Sequence, residues 1–156
     1  MRKCKTNRTR TLERRRGAAA VEFALVAPIL VTLMLGAADI GQAVGVSEVV
    51  TNASRAGARS ACRAGTDDVS VALAAVQSHL QDAYPNMDSG ALAAASTVTV
   101  QNGAGSTLSS ADLESMAPGS AVQVEVVLNF AAIRWIPGVD FMTGRSISRT
   151  TVMRRE

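Results

Sequence analysis

The sequence predicts an α+β protein: one long N-terminal membrane-spanning helix that continues into a small extracytoplasmic domain, which holds a second helix and about three antiparallel strands. Three observations carry that expectation. Phe23 to Ala38 is free of charge and follows a basic block. Small and apolar residues then recur at three- and four-residue spacing as far as Ser60, and short alternating segments appear only from Ser96 onward.

The chain's net charge of +3 conceals a steep asymmetry. Residues 1–17 hold eight Lys/Arg and one Glu, whereas residues 18–156 hold eight Arg and twelve acids, so a leader of +7 precedes a remainder of −4. Although a basic chain can signal a nucleic-acid partner, here the cations abut an apolar helix, which is the pattern of a cytoplasmic anchor. No nucleic-acid partner is expected.

From Ala18 to Ala38 the run is 21 residues with Glu22 as its single charge. About 20 helical residues cross a bilayer, so residues 18–40 are expected to span the membrane, with lipid as a partner. A cleavable secretory signal would share the basic start and apolar middle. Against it stand the long charged leader, the lack of a clean A-x-A site at Gly36, Ala37 and Ala38, and a helical pattern that continues past them.

Residues 41–64 read as a soluble continuation of the same helix. Val46, Val49, Val50, Ala53, Ala56, Gly57 and Ser60 mark one side, while Glu48, Asn52, Arg55 and Arg59 follow the other. With no strong breaker before Gly65, a single rod from about Ala18 to Ala64 is expected, about 70 Å long at 1.5 Å per residue. Pro28 removes one backbone donor, so a bend near Ala24 is expected rather than a break. Ala53, Ala56, Gly57 and Ser60 form a candidate helix-packing face, whose small side chains would admit either another subunit or the protein's own sheet.

Residues 65–156 read as the extracytoplasmic α+β domain. Thr66, Asp67 and Asp68 cap a helix containing Val69, Leu73, Val76 and Leu80 that ends before Pro85. Strands are expected at Ser96–Gln101, Ala121–Phe130 and Arg145–Arg154. A Gly/Ser-rich loop with one short turn at Asp112–Met116 should join the first two, and a turn-rich connection with Trp135, Pro137 and Gly138 should precede the third.

Nothing in the sequence points to catalysis, a cofactor or a metal. His79 is the single histidine and has no second histidine to pair with, and no Ser/His/Asp pattern occurs. Cys4 and Cys62 are too far apart for a C-x-x-C site. Cys62 is expected to be a packed helix residue, with an intermolecular disulfide as the alternative in an oxidising compartment. Asp67 and Asp68 are read as cap acids rather than calcium ligands.

The segment RRRGAAAVEFALVAPILVTLMLGAADIG, followed by NASRAGARSA, resembles the TadE-like proteins, pseudopilins or minor pilins of the tight-adherence (Flp-type) pilus system. The resemblance is strongest over Arg14 to Ala64, with a weaker echo in ISRTTVMRRE. It implies a pilin-like fold and cleavage by a prepilin peptidase between Gly17 and Ala18. It also implies that Glu22, with the aromatic Phe23 after it, serves in processing and assembly. The implied partners are that peptidase, other pilin or pseudopilin subunits and the assembly machinery. The implied place is the inner membrane, single-pass, with the N-terminus cytoplasmic, and an extracellular pilus once incorporated. An uncleaved single-pass envelope protein with an extracytoplasmic binding domain is the alternative.

The chemistry of that spacing can be argued from the residues alone. Glycine at the cut presents no side chain to a protease cleft. Cutting there creates an ammonium group at Ala18, and a carboxylate in an apolar helix needs such a partner. An ammonium of a neighbouring subunit set against Glu22 would fix the register between subunits, because a pair of charges in low dielectric costs far less than two isolated ones.

Overall fold

The structure, a computed structural model, describes residues 7–63, 68–133 and 144–156. It is α+β. Helix α1 (Asn7–Cys62) is followed by α2 (Val69–Ala83), α3 (Ser89–Ala95), β1 (Ser96–Asn102), α4 (Ser110–Ser115), β2 (Ala121–Asn129), α5 (Phe130–Ile133) and β3 (Ser146–Arg154). At 56 residues, α1 is about 84 Å long. It begins within the leader, eleven residues before the expected Ala18, and it ends at Cys62. The expected end at Ala64 and the breaker Gly65 lie outside the described residues, as do Cys4, Thr66, Asp67, Trp135, Pro137 and Gly138. The helix runs unbroken through Pro28, where the Thr32 hydroxyl donates to the Pro28 carbonyl at 2.8 Å.

The three strands form one antiparallel sheet in the order β1-β2-β3. Alternation along β2 decides which face is covered. Val122, Val124, Val126 and Leu128 are buried, while Gln123, Glu125 and Val127 between them are half-buried on the other face. The register sets Val100 opposite Val124 and Thr151 opposite Val124 on the other side, so the covered face extends across all three strands. Helix α1 lies against α2, β2 and β3, and its stripe Ala43, Val46, Val50, Ala53 and Ala61 supplies the core together with Val76, Leu80 and Phe130.

Polar contacts fix how α1 lies along β3. Ser54 is buried on α1, and its hydroxyl is 2.7 Å from the Thr151 hydroxyl. Ser47, seven residues earlier, accepts from the Arg149 guanidinium. At the far end, the backbone N–H of Glu156 donates to the Cys62 carbonyl at 3.0 Å, satisfying one of the acceptors that a helix C-terminus leaves open. Both chains of atoms therefore advance in the same direction, Ser47 to Cys62 beside Arg149 to Glu156.

Helix α2 is capped as expected by Asp68, whose carboxylate accepts from Ser70 N at 2.8 Å, and it ends where Tyr84 N donates to the Leu80 carbonyl just before Pro85. Two expectations need correction. Phe130 is not the last residue of β2 but the first of α5, because the Asn129 side chain accepts from Ala131 N at 3.1 Å and turns the chain out of the sheet. The short turn expected at Asp112–Met116 is the helix α4, and it starts earlier, at Ser110. It is held by a capping box in which Ser109 and Asp112 bond each other's backbone N–H.

Candidate assembly helix

The N-terminal half of α1 carries the expected motif. Gly17 and Ala18 are exposed, and a side-chain carbon placed on Gly17 would meet nothing within 4 Å. Glu22 is exposed one helical turn after Ala18, so the two are i,i+4 neighbours on one side with a rise of about 6 Å between them. Phe23 is 69% exposed beside it.

From Phe23 to Ala38 the helix carries no charge and presents apolar side chains on every side. Ile29, Leu30 and Val31 are consecutive, hence about 100° apart around the axis, and all three are more than half exposed, as are Leu25, Leu33 and Met34. Gly17–Cys62 is long and apolar enough to cross a membrane, and none of its most apolar 18-residue window is buried within the protein. Fully burying one such side chain contributes roughly 1.5–3 kcal/mol. A helix apolar all round belongs in lipid or inside a bundle.

At the junction between this segment and the domain, Asp39 is buried at 2% exposure, and among the described residues its Oδ2 has no hydrogen-bond partner. Gln42, one turn on, donates from Nε2 to the Ile133 carbonyl at 3.3 Å, while its Oε1 meets no partner among the described residues. Asp39 lies outside the motif and outside the candidate packing face expected from the sequence. A signal existed: Asp39, Ala43, Val46, Val50, Ala53 and Gly57 are spaced four and three residues apart, so Asp39 belongs to the buried stripe.

The small-residue face meets the protein's own domain. Ala53 and Gly57 are buried, whereas Ala56 and Ser60 are half-buried. A methyl group on Gly57 would stand 2.5 Å from Val76 Cγ2 and 3.2 Å from Val124 Cγ1, so the missing side chain is what allows α2 and β2 to approach. Ser60 turns its hydroxyl onto the Gly57 carbonyl at 2.9 Å.

Of the other residues singled out, His79 is half-buried on α2. Cys62 is a buried free thiol, and burial raises its pKa against a smaller opposing effect of Arg155. Asp68 is exposed and held below the usual carboxylate range, first by the Ser70 hydroxyl, then by Ser70 N and the Ser110 hydroxyl. Among the described residues no group of three or more His, Cys, Asp or Glu side chains is placed to hold a metal.

Residues 17–59 match the family model described as TadE-like protein. The match opens on Gly17, covers the Glu22-Phe23 motif and the whole apolar run, and stops within the small-residue face. It thus agrees with the resemblance carried by the sequence. No curated protein and no solved structure matches the chain.

Proposed function

We propose that this protein is a membrane-anchored pseudopilin or minor pilin that acts in assembly of a tight-adherence type pilus after a prepilin peptidase cuts between Gly17 and Ala18. The observation that carries the reading is the TadE-like match beginning at Gly17 on a helix whose apolar surface is unburied. The function is assembly rather than catalysis.

The +7 leader stays on the cytoplasmic side by the positive-inside rule. The bond after Gly17 then lies at the cytoplasmic edge of the span, within reach of a membrane peptidase, and the domain of α2 to β3 lies on the far side. Cutting leaves an ammonium at Ala18. Glu22 of a subunit displaced along the bundle accepts that ammonium, while the apolar side chains from Phe23 to Met34 pass from lipid to neighbouring helices. Extraction costs little hydrophobic free energy because one apolar environment replaces another, so the charge pair determines the register.

Glu22→Gln tests this, since it keeps size and most hydrogen-bonding capacity while removing charge. Leaving the Ala18 ammonium without a partner costs about 3–5 kcal/mol, enough to disfavour incorporation by about two orders of magnitude or more. Cleavage and piliation are scored separately. The expected result is a stable, membrane-inserted protein with impaired assembly. Normal cleavage together with wild-type pili would contradict the proposal.

A further inference from the structure

A groove runs between α1 and the outer edge of β3, lined by Ile40, Ala43, Val44, Ser47, Ile147 and Arg149, with the Ser146 and Ser148 hydroxyl residues at its rim. We infer that it holds the headgroup and first acyl carbons of an acidic phospholipid. The inference rests on α1 spanning the membrane and not on cleavage or on any filament.

Depth is the first argument. About 20 helical residues fill the hydrocarbon layer, so counting from Ala18 or from Phe23 puts its edge between Ala38 and Gln42. Ser47 then lies five to nine residues further, about 8–14 Å along the axis. The floor of the groove thus begins at the hydrocarbon edge and rises through the layer of headgroups. Its chemistry follows the same gradient. Ile40 and Val44, at the membrane end, are 59% and 56% exposed and continue the apolar surface of the span. Arg149 stands at the upper end.

Charge is the second argument. The Arg149 guanidinium is exposed and is steered by two neutral acceptors, the Ser148 carbonyl at 2.9 Å and the Ser47 hydroxyl. Among the described residues it has no carboxylate partner, and no acid lines the groove. A guanidinium has five N–H donors, so three remain for a phosphate, in a planar fork that matches phosphate oxygens. Asp39, eight residues before Ser47 on α1, is buried at 2% exposure and does not line the groove. A cation without a counter-ion, above exposed aliphatic side chains at headgroup depth, fits an anionic lipid better than a second protein helix.

Native mass spectrometry of the full chain in detergent, titrated with phosphatidylglycerol or with phosphatidylcholine of the same acyl chains, gives the test. Phosphatidylglycerol should be retained in preference, and Arg149→Gln should reduce its retention about fivefold, the effect of one cation near a membrane surface, without changing that of phosphatidylcholine. Arg149→Lys, which keeps charge, should restore part of the preference. Arg55→Gln, an exposed arginine about 12 Å further along α1, should change nothing. Equal retention of the two lipids, an Arg149→Gln protein that behaves as wild type, or an equal effect of Arg55→Gln would overturn the inference. So would efficient disulfide dimers of Val44→Cys in membranes, which would mean that a second copy occupies the groove.

Discussion

Gly57 of α1 faces Val76 of α2 so closely that a methyl group on the glycine would lie 2.5 Å from Val76 Cγ2. Gly57→Ala gains helix propensity of about 1 kcal/mol but overpacks a site for which typical costs are about 1–3 kcal/mol. The expected result is net destabilisation of up to about 2 kcal/mol in chemical denaturation. Val76→Ala should relieve part of it, so the double variant should be more stable than the sum of the two single losses.

Ser54 and Thr151 share one hydrogen bond between the buried side of α1 and β3. The Ser54 hydroxyl has one proton and also reaches the Thr51 carbonyl at 2.9 Å, so when it donates there Thr151 supplies the proton between the two side chains. Ser54→Ala should cost about 1 kcal/mol. Adding Thr151→Val removes the abandoned hydroxyl as well, and unfolding midpoints should then recover most of that loss.

The sequence reveals some of this architecture through patterns that local physics enforces. Alternation in AVQVEVVLN can bury one face only, and Asp68 before VSVALAAV is a cap before an amphipathic run. Other parts depend on tertiary partners. Helix α3, SGALAAA, buries only Leu92 and is too short to show a period, although Asp88 ahead of it accepts from Gly90 N and Ala91 N as a cap would. Ala53 and Gly57 could have faced another subunit equally well, because small residues permit any close approach. What settles their surroundings is the position of Val76 and Val124, far away in sequence. In the candidate site, Gly17, Ala18, Glu22 and Phe23 were legible because the motif is local. Asp39 was legible only through its four-and-three spacing with Ala43, Val46 and Val50, because an acid interrupts the apolar pattern that marks a buried stripe.

Acid should weaken the domain through its caps. Asp68 and Asp112 both have pKa values lowered from 3.8, by Ser70 and Ser109 respectively, with the side-chain hydrogen bond as the larger cause in each case. A depressed carboxylate contributes stability that is present above its unfolded pKa and lost as pH falls through the folded one. Thermal unfolding should therefore move to lower temperature as pH drops below about 4. Asp68→Asn with Asp112→Asn, which keeps capping capacity, should make that decline shallower.

Cys62 should react slowly. It is buried and its pKa is raised, so little thiolate is present near neutral pH. Maleimide labelling of the folded protein should lag far behind that of the denatured chain, and non-reducing electrophoresis should show monomer. Rapid labelling under native conditions would mean that the end of α1 is open.

If α1 is the N-terminal helix of a processed subunit, the N-terminus of the native protein records the cut. Intact mass and N-terminal sequencing of membrane-extracted protein, from cells that contain an active prepilin peptidase, should find a chain that begins at Ala18. A chain that retains Met1 would support a single-pass envelope protein with its leader in place, and one that begins after Ala38 would mean a secretory signal. Either result would contradict processing between Gly17 and Ala18.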